Sequence, residues 1–254
     1  MMDRPGIVGN RLLAVLPPAD FGLLAPHLQK VSLEQDAVLL RSGDRIQQIY
    51  FPHSGAISFM LDMTNGQTVA TAILGRDGAV GILSALGPAH SSVTAVVRVA
   101  GVASQITASR FHAAFRQSSA IRGAVQIQTR TLLVEFQHGA ACNALHPVEA
   151  RAARWLLHLH DRIDGDVLPL TQEVLSQLLG VRRTTVTQVI QKLRADGVVR
   201  SERRGLIEID RPRLEKAACE CYEIMCSKID RIIHDSTEAY PDAAPMREAP
   251  DAVG

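Results

Sequence analysis

Cysteine is scarce in this sequence: Cys142, Cys219, Cys221 and Cys226 are all there is in 254 residues. Four thiols, three of them crowded near the carboxy terminus, are too few and too clustered for a disulfide framework. A long apolar run is also missing near the amino terminus. Leu12 to Leu16 stops at Pro17-Pro18 and is too short for the core of a signal peptide. Gly78 to Val97 lacks charge and has the length to span a bilayer, but Gly78, Gly81, Gly87 and Pro88 cut it into short strands and turns. No membrane segment is expected, and the chain is expected to be cytoplasmic. Net charge is close to absent as well: 27 basic against 26 acidic side chains leave +1, a balance that names no partner. What remains, 46% hydrophobic and 21% charged, is the composition of a globular protein with one large domain or two modest ones.

Charge is unevenly placed along the chain. Residues 1–150 carry +2, residues 151–213 carry +4 and residues 214–254 carry −5. A basic segment followed by an acidic tail is a compositional asymmetry, although a charge run is most often a solvated face.

Residues 31–107 have the grammar of an all-β unit. Short runs of Val, Ile, Leu, Phe and Tyr are cut by turn signals at Ser42-Gly43-Asp44, Ser54-Gly55, Asn65-Gly66, Gly75-Arg76-Asp77-Gly78, Gly87-Pro88 and Ala100-Gly101. Asn65-Gly66, between Phe59-Met60-Leu61 and Val69-Ala70-Thr71, predicts a tight hairpin with positive φ at both central residues. Evenly spaced short strands imply a sandwich, roll or barrel. A helix is expected before them, from Pro18 to about Gln29.

The pattern then changes. Ser119 to Leu145 has no proline, and Ala124, Ile127, Thr131, Val134, His138, Ala141 and Leu145 recur at helical spacing. Val125, Leu132, Leu133 and Phe136 form a second apolar flank. A helix of ~27 residues is ~40 Å long, and two apolar flanks suggest one packed on its own domain and one on a partner subunit. A single amphipathic packing helix is the alternative. Beyond Pro147, helices are expected over Val148–Ile163 and Leu214–His234, and a disordered tail from 236.

The most specific stretch is 170–193. Thr171 is a natural N-cap; Leu175, Leu178 and Leu179 share a face; Gly180 ends the first helix; and Val181 plugs the turn. A second helix is expected from about Arg183 to Ala195, with Val186, Val189, Ile190 and Leu193 inward. Val198-Val199-Arg200 and Leu206 to Ile209 then flank Glu202-Arg203-Arg204-Gly205 as a hairpin. Two short helices joined by a glycine turn, followed by a basic hairpin, describe a winged helix-turn-helix. Residues 180–213 hold nine basic and four acidic side chains, so the positive patch is local.

On Leu170-Thr-Gln-Glu, Leu179-Gly180-Val181 and Arg183-Thr184-Thr185-Val186, and on Gly43-Asp44, Tyr50, Ser54-Gly55 and the glycines around Gly81, the chain resembles the Crp/Fnr superfamily of bacterial transcription regulators over about residues 10–215. The resemblance implies an α+β fold. It has a cyclic-nucleotide-binding-like β-roll (10–118), a dimerisation helix (119–146) and a winged helix-turn-helix DNA-binding domain (147–235). It also implies that the chain is a homodimeric transcription regulator with double-stranded DNA, its own second copy and RNA polymerase as partners. Base contacts then fall to Arg183, Thr184 and Gln188, with Arg183 suited to a bidentate contact with guanine. Phosphate contacts fall to Thr171, Arg182, Thr187, Lys192, Arg203 and Arg204.

The sequence departs from the family at the effector site. Gly81, Ile82, Ser91 and Ser92 mark that pocket, yet Ile82 stands where cyclic-nucleotide binders have a ribose-holding Glu. Ser91-Ser92 replaces the Arg that holds the cyclic phosphate. Without that guanidinium a charge-assisted, often bidentate contact is lost, so family-type binding of cAMP or cGMP is not expected. The alternatives are an effector-gated regulator sensing another small molecule, or a protein-interaction module.

The amino-terminal cysteine cluster of oxygen-sensing relatives is absent, the first cysteine being Cys142. Cys219 and Cys226 lie ~10 Å apart along one expected helix, with Cys221 pointing elsewhere. The thiols are therefore expected to be structural, with no metal and no cofactor. Cys142 and His146 are four apart, a spacing that would let them face each other as ligands or a redox pair, with no further ligand in view. No nucleophile, base and carboxylate group together, so no enzyme is expected.

Overall fold

The computed structural model describes residues 9–87, 89–163, 165–203 and 205–238. The chain enters through two single-turn helices, α1 (Arg11–Ala14) and α2 (Pro18–Phe21), and a 3-10 turn at Ala25–His27. The longer helix expected from Pro18 to Gln29 is not formed. Gly22 ends α2, Pro26 sits in the 3-10 turn, and Gln29 already belongs to a strand. Asn10 fixes the entry: its Oδ1 accepts from Leu12 and Leu13 N–H, while its Nδ2 donates to the carbonyls of Pro52 and Gly78.

Seven strands follow: β1 (Gln29–Leu33), β2 (Val38–Leu40), β3 (Gln48–Pro52), β4 (Ala56–Asp62), β5 (Thr68–Leu74), β6 (Thr94–Val99) and β7 (Gly101–Thr107). They form two antiparallel sheets in the orders β1-β7-β3 and β2-β6-β4-β5. Leu33, Ile57, Phe59, Val97 and Ala103 fill the space between them. This is the roll that the short, evenly punctuated strands predict. The β4–β5 hairpin is present, but its turn is longer than the expected two residues. Met63 to Gln67 form the loop between the Asp62–Thr68 pair, and only Gly66 of the two turn residues has positive φ. Asn65 contributes through its side chain, whose Oδ1 accepts from the Gln67 N–H at 3.0 Å.

Helix α3 (Ala108–Gln117) leads into α4 (Ser119–Leu145), which has the span read from its periodicity. Ser118 caps α4, its hydroxyl accepting from Ile121 N–H at 2.9 Å. Next come α5 (Val148–His160), β8 (Val167–Leu168), α6 (Gln172–Leu179), α7 (Arg183–Ala195), β9 (Val199–Arg203) and β10 (Leu206–Ile209). The helices α8 (Arg211–Ala217) and α9 (Cys221–Glu238) close the chain. A single helix over Leu214–His234 is thus corrected to two, because the chain is extended at Ala218. α9 also runs past the expected start of the tail at 236, whereas residues 239–254 lie outside the described ones.

Ile229, Ile232 and Ile233 of α9 share a core with Ile121, Ala124 and Val125 of α4. One flank of the long helix is therefore covered by the chain's own last helix. A second core holds the helices after Pro147 together and extends into the roll through Met60, Ala70 and Ile73. Fully burying Met60 or Ile73 stabilises by ~1.5–3 kcal/mol each, and Ala70 by less. Two buried guanidiniums cross the same junction. Arg98 of β6 donates to Ser58 Oγ at 2.7 Å and to Gln177 Oε1 of α6 at 2.9 Å. Arg162, just after α5, binds Asp77 Oδ2 at 2.5 Å and lies 3.9 Å from Glu135 Oε1 of α4.

Candidate nucleic-acid interface

The helix pair α6–α7 is built as its sequence dictates. Thr171 caps α6, its hydroxyl accepting from Val174 N–H at 3.2 Å. Leu175, Leu178 and Leu179 of α6 and Val186, Val189, Ile190 and Leu193 of α7 are buried in one core with Ile207 and Ile209 of β10. Gly180 joins the helices at φ 65° and ψ 36°, a left-handed conformation that a side chain makes costly, and its N–H bonds to Ser176 O. The inner face of α7 is thereby consumed. Its other face carries Arg182, Arg183, Thr184, Gln188, Lys192 and Arg194, all exposed. Arg182, the N-cap, makes no side-chain cap bond, so the positive end of α7 is left open toward an anion.

Several of these side chains already have partners. Arg183 Nε is 3.5 Å from Glu173 Oε2, and Lys192 Nζ is 3.1 Å from Glu149 Oε1. The Glu149 carboxyl is held below the usual carboxylate range by its own backbone N–H and by Lys192. Thr187 differs from its neighbours: its hydroxyl donates within α7 to Arg183 O at 3.1 Å and lies 3.2 Å from Gln172 Oε1, so it is engaged internally. Thr171 is exposed, but its hydroxyl serves as the cap. Arg203 ends β9 in the wing; its side chain, and Arg204 altogether, lie outside the described residues. Arg194 was not among the expected contacts, though it lies eleven residues beyond Arg183, about three helical turns along the same face.

The roll holds a cavity of about 160 Å³. Gly81, Ser91 and Ser92 line it together with Phe59 of β4 and Leu132 and Phe136 of α4. Ile82 does not. It is 1% exposed and points into the core shared with Phe111 and Ile121, a correction to its placement at the pocket. No Lys or Arg lines the cavity among the described residues. Ser84 Oγ lies 3.0 Å from His112 Nε2, and Ser91 Oγ donates to Val93 O at 2.6 Å. A volume of 160 Å³ is well below the ~300–1,000 Å³ of clefts that enclose drug-sized ligands.

The expected placement of Cys219 along one helix with Cys226 is also corrected. Cys219 is not on α9 but in the break before it, and the break turns Cys219 and Cys221 onto the end of α4 beside Cys142 and His146. Cys226 stands apart, near His158 and Asp161. No helix among the described residues is long and apolar enough to cross a membrane.

Comparison with known proteins follows the same division. Residues 30–118 match the model of the cyclic nucleotide-binding domain, and residues 150–217 that of the Crp-like helix-turn-helix domain. The chain is similar to a CRP-like cAMP-activated global transcriptional regulator of Mycobacterium tuberculosis (strain CDC 1551 / Oshkosh), 26% identical over 210 residues that cover 79% of this chain and 93% of the relative. Among solved structures, FixK2 from Bradyrhizobium japonicum superposes with a TM-score of 0.64 at 17% identity, covering 76% of this chain and 98% of that one. The c-di-GMP responsive global regulator CLP of Xanthomonas campestris gives 0.61 at 20% identity, covering 75% and 98%. At these identities the two structures speak for the fold.

Proposed function

The chain belongs to the Crp/Fnr superfamily of DNA-binding transcription regulators, and from that membership we propose that it acts as a homodimer placing two copies of α7 in the major groove of a near-palindromic duplex. The observation that carries this reading is the outer face of α7. A helix whose apolar residues are all spent on its own core presents Arg182, Arg183, Thr184, Gln188 and Lys192 to solvent. A fork-shaped guanidinium at Arg183 matches guanine O6 and N7, while Thr184 and Gln188 read neighbouring base edges. Arg182, Lys192, Arg203 and Arg204, with the α6 amino terminus at Thr171, hold the phosphates and set the register. Thr187 is the weakest member of that set, given its internal bonds.

Dimerisation is assigned to the uncovered side of α4. Leu133 and Phe136 are 53% and 41% exposed there, on the flank that α9 leaves open. Half-sites about one helical turn apart follow from two-fold symmetry. RNA polymerase is a further partner by family membership.

The roll supports a second reading, that an effector gates DNA binding. Phe59 lines the cavity, whereas the next residue, Met60, belongs to the core of the DNA-binding unit. Successive strand residues face opposite ways, so β4 connects the two sites directly. The relative from M. tuberculosis is described as cAMP-activated, but a lining without Lys or Arg favours an uncharged ligand here. Mobility shift of the full chain on genomic fragments at low and high salt tests the central reading. Retarded, salt-sensitive complexes with a few fragments are expected, and the absence of any complex would instead favour a protein-interaction module.

A further inference from the structure

Four side chains that no part of DNA binding uses converge at the hinge between α4 and α5. Cys142 comes from the last turn of α4, and His146 stands between the two helices. Cys219 comes from the break between α8 and α9, and Cys221 is the first residue of α9. Cys142 Sγ and Cys219 Sγ are 3.5 Å apart, and Cys221 Sγ lies 3.5 Å from His146 Nδ1. All four ligand atoms fall within 4.8 Å of one another, and all four thiols of the chain are free.

We propose that Cys142, His146, Cys219 and Cys221 form a closed, tetrahedral zinc site. Zn–S and Zn–N bonds of ~2.3 and ~2.0 Å place the three sulfurs and one nitrogen of a tetrahedron roughly 3.5–3.8 Å apart. The two 3.5 Å spacings lie close to that already, and the widest, no more than 4.8 Å, needs a contraction of up to about 1 Å. The same spacing is too tight for an iron–sulfur cluster, in which thiolates on different irons stand farther apart. Three thiolates and an imidazole are soft donors that select zinc over magnesium or calcium.

The surroundings fit a metal rather than a chance meeting of thiols. His146 turns Nδ1 to the sulfurs while Nε2 lies 3.1 Å from Glu220 Oε1. A carboxylate on the far ring nitrogen is the usual way of fixing a ligating histidine. Cys142, Cys219 and Cys221 are all buried, so the site is shielded from water. Binding releases three thiol protons to solvent and leaves the complex with one net negative charge. The buried guanidinium of Arg154, whose positive charge acts on Cys142, offsets it. With four protein ligands no position remains for substrate, so the role is structural. The ion ties the end of the long helix to the root of α9, across the point where the DNA-binding unit begins.

The test uses the full chain purified under reducing conditions. A single zinc per chain is expected by mass spectrometry. Cobalt replacement is expected to give a thiolate-to-metal charge-transfer band and the visible bands of tetrahedral cobalt. Cys219→Ser should lose the zinc and both signals, and Cys226→Ser should keep them. Should the Cys219→Ser chain fail to fold, the cobalt spectrum of the unmodified chain decides alone. A reduced chain that holds no metal and gives no thiolate–cobalt band, zinc retained by folded Cys219→Ser, or a Cys142–Cys219 disulfide in the freshly isolated protein would each overturn the proposal.

Discussion

Arg183 Nε lies 3.5 Å from Glu173 Oε2, so the guanidinium assigned to the groove is held in the free protein by a carboxylate of the preceding helix. Both side chains are more than half exposed, at 68% and 53%, and such pairs contribute only ~0–1 kcal/mol. In the proposed complex DNA would displace Glu173 at little cost and leave it nearby as a like charge facing the phosphates.

Replacing that carboxylate is expected to strengthen binding. Glu173→Gln frees Arg183 and removes a repulsive charge, for a gain of up to about fivefold at low salt, the equivalent of ~1 kcal/mol. Fluorescence anisotropy on a retarded fragment checks it. The gain should shrink as salt rises, since both contributions are screened. An unchanged or weaker complex would place Arg183 away from the duplex.

The junction between the roll, α4 and α5 carries a pH signature. Burial pushes the Glu135 carboxyl up to about 8, with Arg162 pulling it back down only in part and Asp77 raising it further. The folded chain thus keeps a proton that the unfolded chain releases above the ordinary carboxylate range near 4.5. This group's contribution to stability is complete below that range, falls as pH rises, and stops falling above about 8. With Glu135 protonated, Arg162 and Asp77 balance one to one. Glu135→Gln is expected to flatten the decline between those limits in denaturant titrations across pH. A slope identical to that of the parent chain would mean that Glu135 is ionised at neutral pH.

The open flank of α4 predicts an assembly. Leu133 is 53% exposed, so Leu133→Asp leaves the fold of the single chain intact while placing a charge in the seam. Sedimentation equilibrium is expected to show a dimer for the parent chain and a monomer for the variant, with DNA affinity falling in parallel. A variant that remains fully dimeric would move the interface elsewhere.

The cavity predicts a negative. Gly81, Ser91 and Ser92 offer a cyclic phosphate no guanidinium, and calorimetry with cAMP at micromolar concentrations is expected to show no binding heat. Saturable micromolar binding would require a cation supplied by rearrangement or by the second subunit.

Local rules made much of this legible in advance. Helical spacing from Ser119 to Leu145, the Thr171 cap and the Gly180 turn each specify a short stretch of chain without help from distant residues. Tertiary packing decided the rest. The extended backbone at Ala218 breaks a pattern whose periodicity continues through it. Cys142 and Cys219 are 77 positions apart, and only the return of α9 along α4 brings them together. The turn between Asp62 and Thr68 kept its residues but not its length, because Asn65 satisfies the Gln67 N–H with its side chain instead of adopting positive φ.

Selection of preferred duplexes from a random pool, run in parallel on the parent chain and on Arg183→Ala, tests most directly whether α7 reads DNA. The expected result is a near-palindromic site with half-sites about one helical turn apart. Arg183→Ala should bind that site more weakly by about 1–3 kcal/mol and lose discrimination at one symmetry-related base pair. Equal weakening on every sequence, or no enriched site for the parent chain, would contradict it.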